Sequence, residues 1–178
     1  MIQKMIRAAR LDRTLYSEVE ANENETTNAL IVVIIVAIAT GLGAMLFTAN
    51  PVGSLLGGLL RVVLGWVVSS FLIYFVGTRV YHAATTPGEV LRTLGYAQSP
   101  GVLAVLGFIP ILGWLVGLAA GIWVLVASYV GIKEALDLDT NKTLVTIVLA
   151  IAAWIVISII LGMIFGIAGA GFGLLFGQ

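Results

Sequence analysis

The residues best suited to chemistry are few and lie near one another in two polar stretches. Asp137-Leu-Asp139-Thr-Asn141 sets three oxygen donors at alternate positions, as the opening of a calcium loop does. The remainder departs from that pattern, because Lys142 stands where the glycine turn is needed and Val148 where the bidentate Glu belongs. The stretch reads instead as a loop whose Asp139 or Thr140 caps the next helix, with Lys133 and Lys142 anchoring it at headgroup level. His82 is the single histidine and there is no cysteine, so the thiolate and imidazole ligand sets of zinc, copper or iron–sulfur centres cannot be assembled in one chain. No nucleophile–base pair or phosphate-binding loop is recognisable. The reading is therefore no enzyme, no metal and no cofactor. Nine basic and nine acidic residues cancel, which removes the positive field that nucleic acid requires, so no nucleic-acid partner is expected.

What remains is a set of polar side chains that the chain order places at one side of a membrane: Arg79, His82, Glu89, Arg92, Tyr96, Lys133, Glu134, Asp137 and Asp139. Such a rim can receive a protein partner's tail or a lipid headgroup, or remain a solvated edge. Asn24-Glu-Thr26 and Asn141-Lys-Thr143 match the glycosylation acceptor pattern but fall on the same, cytoplasmic side, and are discounted.

The elements that position this rim follow from composition. The chain of 178 residues is 60% hydrophobic and only 10% charged, far below the roughly 25% charged share of soluble domains. Its solvent is lipid. The fold class is an all-α polytopic bundle with five membrane-spanning helices, predicted at about 28–48, 55–77, 88–109 (kinked at Ser99-Pro100), 110–131 and 143–165, before a glycine-rich tail at 166–178. Residues 1–27 form a separate juxtamembrane segment. There Met1, Ile2, Met5, Ile6, Ala9, Tyr16 and Val19 share a face flanked by Lys4, Arg7, Arg10 and Arg13, the pattern of an amphipathic helix lying on the membrane. Thr86-Pro87-Gly88-Glu89 reads as a capping box that starts the third span. Spans three and four form either a hairpin or one long kinked helix, and the distribution of basic residues favours the hairpin. With five crossings and a cytoplasmic N-terminus, every Lys and Arg except Arg61 lies inside. The C-terminus is then outside.

Within the spans, Gly113, Gly117 and Gly121 recur every fourth residue, as do Gly169, Gly173 and Gly177, a spacing that lets helix backbones approach closely in lipid. The same spacing serves an internal seam or self-association. No Asp, Glu or Lys stands near mid-membrane, which argues against a proton-coupled pump. Ser69, Tyr74, Ser128 and Tyr129 would line a path through the bundle if there is one.

The order of features resembles the Yip family of Ypt/Rab-interacting proteins. The resemblance is carried by Leu11-Asp-Arg-Thr-Leu-Tyr16-Ser-Glu-Val-Glu20, five apolar segments, Leu91-Arg-Thr-Leu-Gly-Tyr96-Ala before a proline, and Tyr129-Val-Gly-Ile-Lys-Glu-Ala135 followed by Asp139-Thr. It implies five crossings and a cytoplasmic N-terminus in the cell membrane of a prokaryote, with Tyr96 as part of a Gly-Tyr signature. The long cytoplasmic domain of eukaryotic relatives and its aromatic motif are missing, so GTPase binding is not carried over. The expected function is a non-enzymatic membrane scaffold or adaptor with membrane lipid, a membrane-protein partner or a second copy of itself as partner. The alternative is a small channel or carrier for a neutral or apolar solute.

Overall fold

The computed structural model describes residues 1–45, 49–109 and 111–176, and the surroundings of side chains as far as Met163 except Ser54 and Leu161. The end of the first predicted span (46–48) and Pro110 lie outside the described residues. So, as regards packing, do Gly169, Gly173 and Gly177. The described residues form helices and connecting turns without a strand: α1 (Ile2–Ala9), α2 (Arg13–Ala21), α3 (Glu25–Ala44), α4 (Pro51–Tyr81), α5 (Pro87–Ala97), a 3₁₀ helix (Ser99–Phe108), α6 (Leu112–Ala135) and α7 (Thr140–Phe176). Four stretches are long and apolar enough to cross a membrane: Glu25–Ala44, Pro51–Tyr81, Leu112–Ala135 and Thr140–Ile160. These correspond to predicted spans one, two, four and five.

The third predicted span is a broken segment. Pro87 stands at the start of α5, and Ser99-Pro100 ends its α-helical hydrogen bonding because proline offers no N–H. The chain then continues as ten residues of 3₁₀ helix, longer than the usual three or four. Glycines face α3 at regular steps along it: Gly95 abuts Ala29, Gly101 abuts Val36 and Gly107 abuts Gly43. The chain reverses between Phe108 and Leu112, and α6 packs back on the 3₁₀ helix with Gly113 against Gly107. Segments three and four thus form a hairpin.

Lipid supplies no hydrophobic drive to bring helices together, so close approach depends on small residues. Three glycines, Gly43, Gly107 and Gly113, meet backbone to backbone, and a Cβ at Gly113 would lie 2.6 Å from the Gly107 carbonyl oxygen. At Gly43 it would collide with the Ala104 carbonyl. Only Gly113 of the predicted seam takes part: Gly117 and Gly121 would meet nothing within 4 Å. They line an open groove of about 270 Å³ between α6, the 3₁₀ helix, α3 and α4.

The N-terminal segment also departs from expectation. The single surface helix is two helices, broken at Leu11, whose φ is +61°, and restarted by Asp12, whose side chain accepts from the Thr14 amide at 3.0 Å. The predicted apolar face divides accordingly. Leu15, Tyr16 and Val19 of α2 are fully buried against α5 and α6 rather than turned to lipid, whereas Met1, Ile2 and Ile6 of α1 stay exposed.

Candidate functional site: a polar cap at one end of the bundle

Strict alternation of direction along α3, α4, α5 with its 3₁₀ continuation, α6 and α7 gathers the start of α3, the end of α4, the start of α5 and the α6–α7 turn at one end. The α1–α2 pair covers that end. Of the nine basic and nine acidic residues, every one except Arg61 belongs to it.

Two anchors hold the cover in place. The first is Arg92. The capping box forms as read, the Thr86 hydroxyl accepting from the Glu89 amide at 3.3 Å and the Glu89 carboxylate accepting from the Thr86 amide at 2.9 Å. Arg92, one turn later, is thereby aimed at α2. Its Nε donates to the carbonyls of Val19 at 2.9 Å and Glu20 at 3.1 Å, its Nη2 donates to Glu20 as well, and its Nη1 reaches the Thr26 hydroxyl at 3.4 Å. These carbonyls are the unsatisfied C-terminal groups of α2, where a cation also meets the negative end of the helix dipole.

The second anchor is Glu25, buried at the first turn of α3. It accepts from the Tyr96 hydroxyl at 2.5 Å, the Asn28 amide at 3.1 Å and Lys4 Nζ at 3.1 Å. Lys4 passes the chain on to Glu18 at 2.7 Å, and Arg7 links Glu18 at 2.8 Å to Asp12 at 2.7 Å. The Glu18 bond, reinforced by Glu25, holds the Lys4 ammonium above its usual range. Bonds from the Thr14 hydroxyl and then from Arg7 bring Asp12 down to about 2. Trp123 Nε1 adds a bond to the Ala9 carbonyl at 2.7 Å, pinning the end of α1 on α6.

The predicted rim residues therefore separate. Arg92 and Tyr96 are buried, their polar atoms bonded to α2 and to Glu25, and Glu89 is half-buried in the capping box. Asp139 caps α7 by accepting from the Lys142 amide at 2.9 Å, and Lys133 donates to the Thr140 hydroxyl at 3.0 Å. Arg79, His82, Asp137 and Asp139 are exposed, with Arg79 lying over the Phe75 ring. Glu134 accepts from Ser17 at 3.3 Å. Among the described residues no three His, Asp or Glu side chains converge to hold a metal ion.

Sequence reasoning missed Lys4, Glu25 and Glu20. Burial first, then the neighbouring charges of Asp137, Glu89 and Glu134, raises Glu20 to about 7, while Arg92 draws it down. The one local signal was Asp12-Arg-Thr14, a helix-capping pattern in the middle of the assumed single helix.

A model of the Yip1 domain matches residues 13–164. The chain belongs to the Yip1-domain family. No curated protein and no solved structure matches it. The match takes in α2 together with the bundle, so both sides of the Arg92 anchor lie inside the Yip1 domain.

The Yip1 domain also has open grooves between its helices. Ser69 and Ser128 line one of about 360 Å³ between α4, α6 and α7, together with Gln98. The other two path residues lie elsewhere. Tyr74 borders a shallow groove formed by α4's own side chains, and the Tyr129 hydroxyl donates to Thr140 at 3.2 Å in the polar cap.

Proposed function

We propose that this Yip1 domain is a non-enzymatic integral-membrane adaptor whose polar cap is a rigid docking platform for a protein or lipid partner. The observation that carries the reading is the locking of α1–α2 onto the bundle through Arg92 and Glu25, which leaves Arg79, His82, Asp137 and the exposed faces of α1 and α2 as a preformed surface. A surface already ordered needs little further ordering on binding. Five crossings fit this reading, because the 3₁₀ helix rises about 20 Å beyond α5 and packs along α3 and α6 for its length. A cytoplasmic cap, with the C-terminal end of α7 on the opposite side, is supported by the eight of nine Lys and Arg residues at the capped end. The exposed apolar side chains of α1 would rest in the headgroup boundary there.

Crosslinking in native membranes followed by purification tests the proposal. A discrete partner, lost on Arg79→Glu with unchanged thermal stability, is the expected result. A monomer without co-purifying protein or lipid would reject it. A small channel or carrier for a neutral or apolar solute is a second reading, favoured by Ser69 and Ser128 sharing one groove with Gln98. Liposome flux abolished by Ser69→Leu would put it first.

A further inference from the structure

Arg61 stands apart from the charge distribution. It lies ten residues into α4 and lines a groove of about 680 Å³ with Thr40 and Ala44, from the last turns of α3, and with Gly58, Ser69 and Gln98. This is the end of the bundle opposite the polar cap. None of the ion pairs among the described residues includes Arg61, and its side chain is exposed. Helical side chains lean toward the N-terminus of their helix, so Arg61 leans toward the outer end of α4 and the mouth of the groove. A guanidinium on a lipid-facing helix is costly unless its head reaches the interface, where an anionic headgroup can pair with it. The groove continues inward: Gly65, Ser69 and Gln98 also line the neighbouring groove of about 360 Å³, walled by Leu72, Ile73, Ile147 and Trp154. A cation toward the outer end of α4 and an apolar wall deeper along it follow the order of headgroup and acyl chain.

We propose that the groove binds an anionic phospholipid from the leaflet opposite the polar cap, Arg61 pairing with the headgroup phosphate and an acyl chain following α4 inward. The guanidinium fork suits two phosphate oxygens at once. The passage is open beside Gly65, where a Cβ would meet nothing within 4 Å. The proposal rests on the membrane embedding of the Yip1 domain but not on the adaptor reading, and lipid selectivity is a different readout from partner capture.

The test uses the full chain in nanodiscs of equal parts phosphatidylglycerol and phosphatidylcholine, read by native mass spectrometry of the lipids that stay bound. Both lipids offer a phosphate to Arg61, but the choline cation of phosphatidylcholine offsets that charge beside the guanidinium, so a preference for phosphatidylglycerol of about tenfold is expected. Arg61→Gln should remove it and Arg61→Lys should retain most of it. Because the basic residues of the cap also attract anionic lipid, the site is located with a phosphatidylglycerol carrying a photoreactive acyl chain. It should label the α4 stretch 58–73 in the parent protein and not in Arg61→Gln. A preference unchanged in Arg61→Gln, or labelling confined to α1 and α2, would overturn the proposal. Release of the lipid by inorganic phosphate at millimolar concentration would also overturn it, since the site would then be one for free phosphate.

Discussion

The Arg92 guanidinium on α5 donates through Nε to the Val19 carbonyl on α2 across 2.9 Å, joining residues 73 positions apart. It satisfies the end of one helix with the side chain of another. Arg92→Ala leaves those carbonyls without a donor inside the cap, a loss on the order of 3 kcal/mol. Denaturation in detergent should show this loss, and limited proteolysis should cut between α2 and α3 faster than in the parent protein. Equal cutting rates would mean that the apolar contacts of Leu15, Tyr16 and Val19 hold α2 without the anchor.

Tyr96→Phe removes one donor from buried Glu25 and keeps the ring. Asn28 and Lys4 still bond that carboxylate, so the expected cost is about 1–2 kcal/mol, smaller than for Arg92→Ala. Hydrogen exchange at the first turn of α3 is the measurement, and it should quicken there before it does in α6.

The glycines are separable by one substitution each. Gly107→Ala pushes a methyl toward the Gly43 backbone, whose carbonyl oxygen would lie 3.2 Å from it, whereas Gly117→Ala meets open space. Overpacking costs roughly 1–3 kcal/mol. Thermal unfolding in one detergent should thus show a lower Tm for Gly107→Ala and an unchanged or higher one for Gly117→Ala, where alanine is the better helix former.

Glu20 sets a pH dependence. Its carboxyl titrates at about 7 in the fold, against 4.5 ordinarily, so between those values the unfolded chain has already released the proton that the folded one keeps. The Glu20 contribution to stability therefore falls as pH rises from about 4.5 to 7. Glu20→Gln should flatten the change in Tm across that window and raise Tm above pH 7. Asp12 works in the opposite sense and lower down, its contribution being lost as pH falls toward 2. A parent Tm indifferent to pH from 5 to 7.5 would contradict the Glu20 assignment.

Local patterns were legible in the chain. Hydropathy marked the four long apolar helices, the Thr86–Glu89 box marked the start of α5, Ser99-Pro100 marked the break that follows, and Asp139 marked the start of α7. Each rests on residues within a turn or two of one another. The polar cap was read as nine exposed candidates, yet Arg92 and Tyr96 are buried because their partners, Val19, Glu20 and Glu25, are more than 70 positions away. Periodicity also placed Tyr16 and Val19 on an apolar face without saying whether lipid or protein would cover it.

By itself the sequence determined that this chain lives in lipid, where α5 and α7 begin, and that its charge gathers at one end, since solvent preference and capping act within single elements. Only the tertiary structure decided that α2 docks on protein and that Gly43, Gly107 and Gly113 make the close contact in place of the regular α6 seam. It also left Arg61 alone at the mouth of a groove. Helix-to-helix selection inside a membrane depends on which small surfaces meet, and lipid offers no difference in hydrophobicity along the chain to announce it.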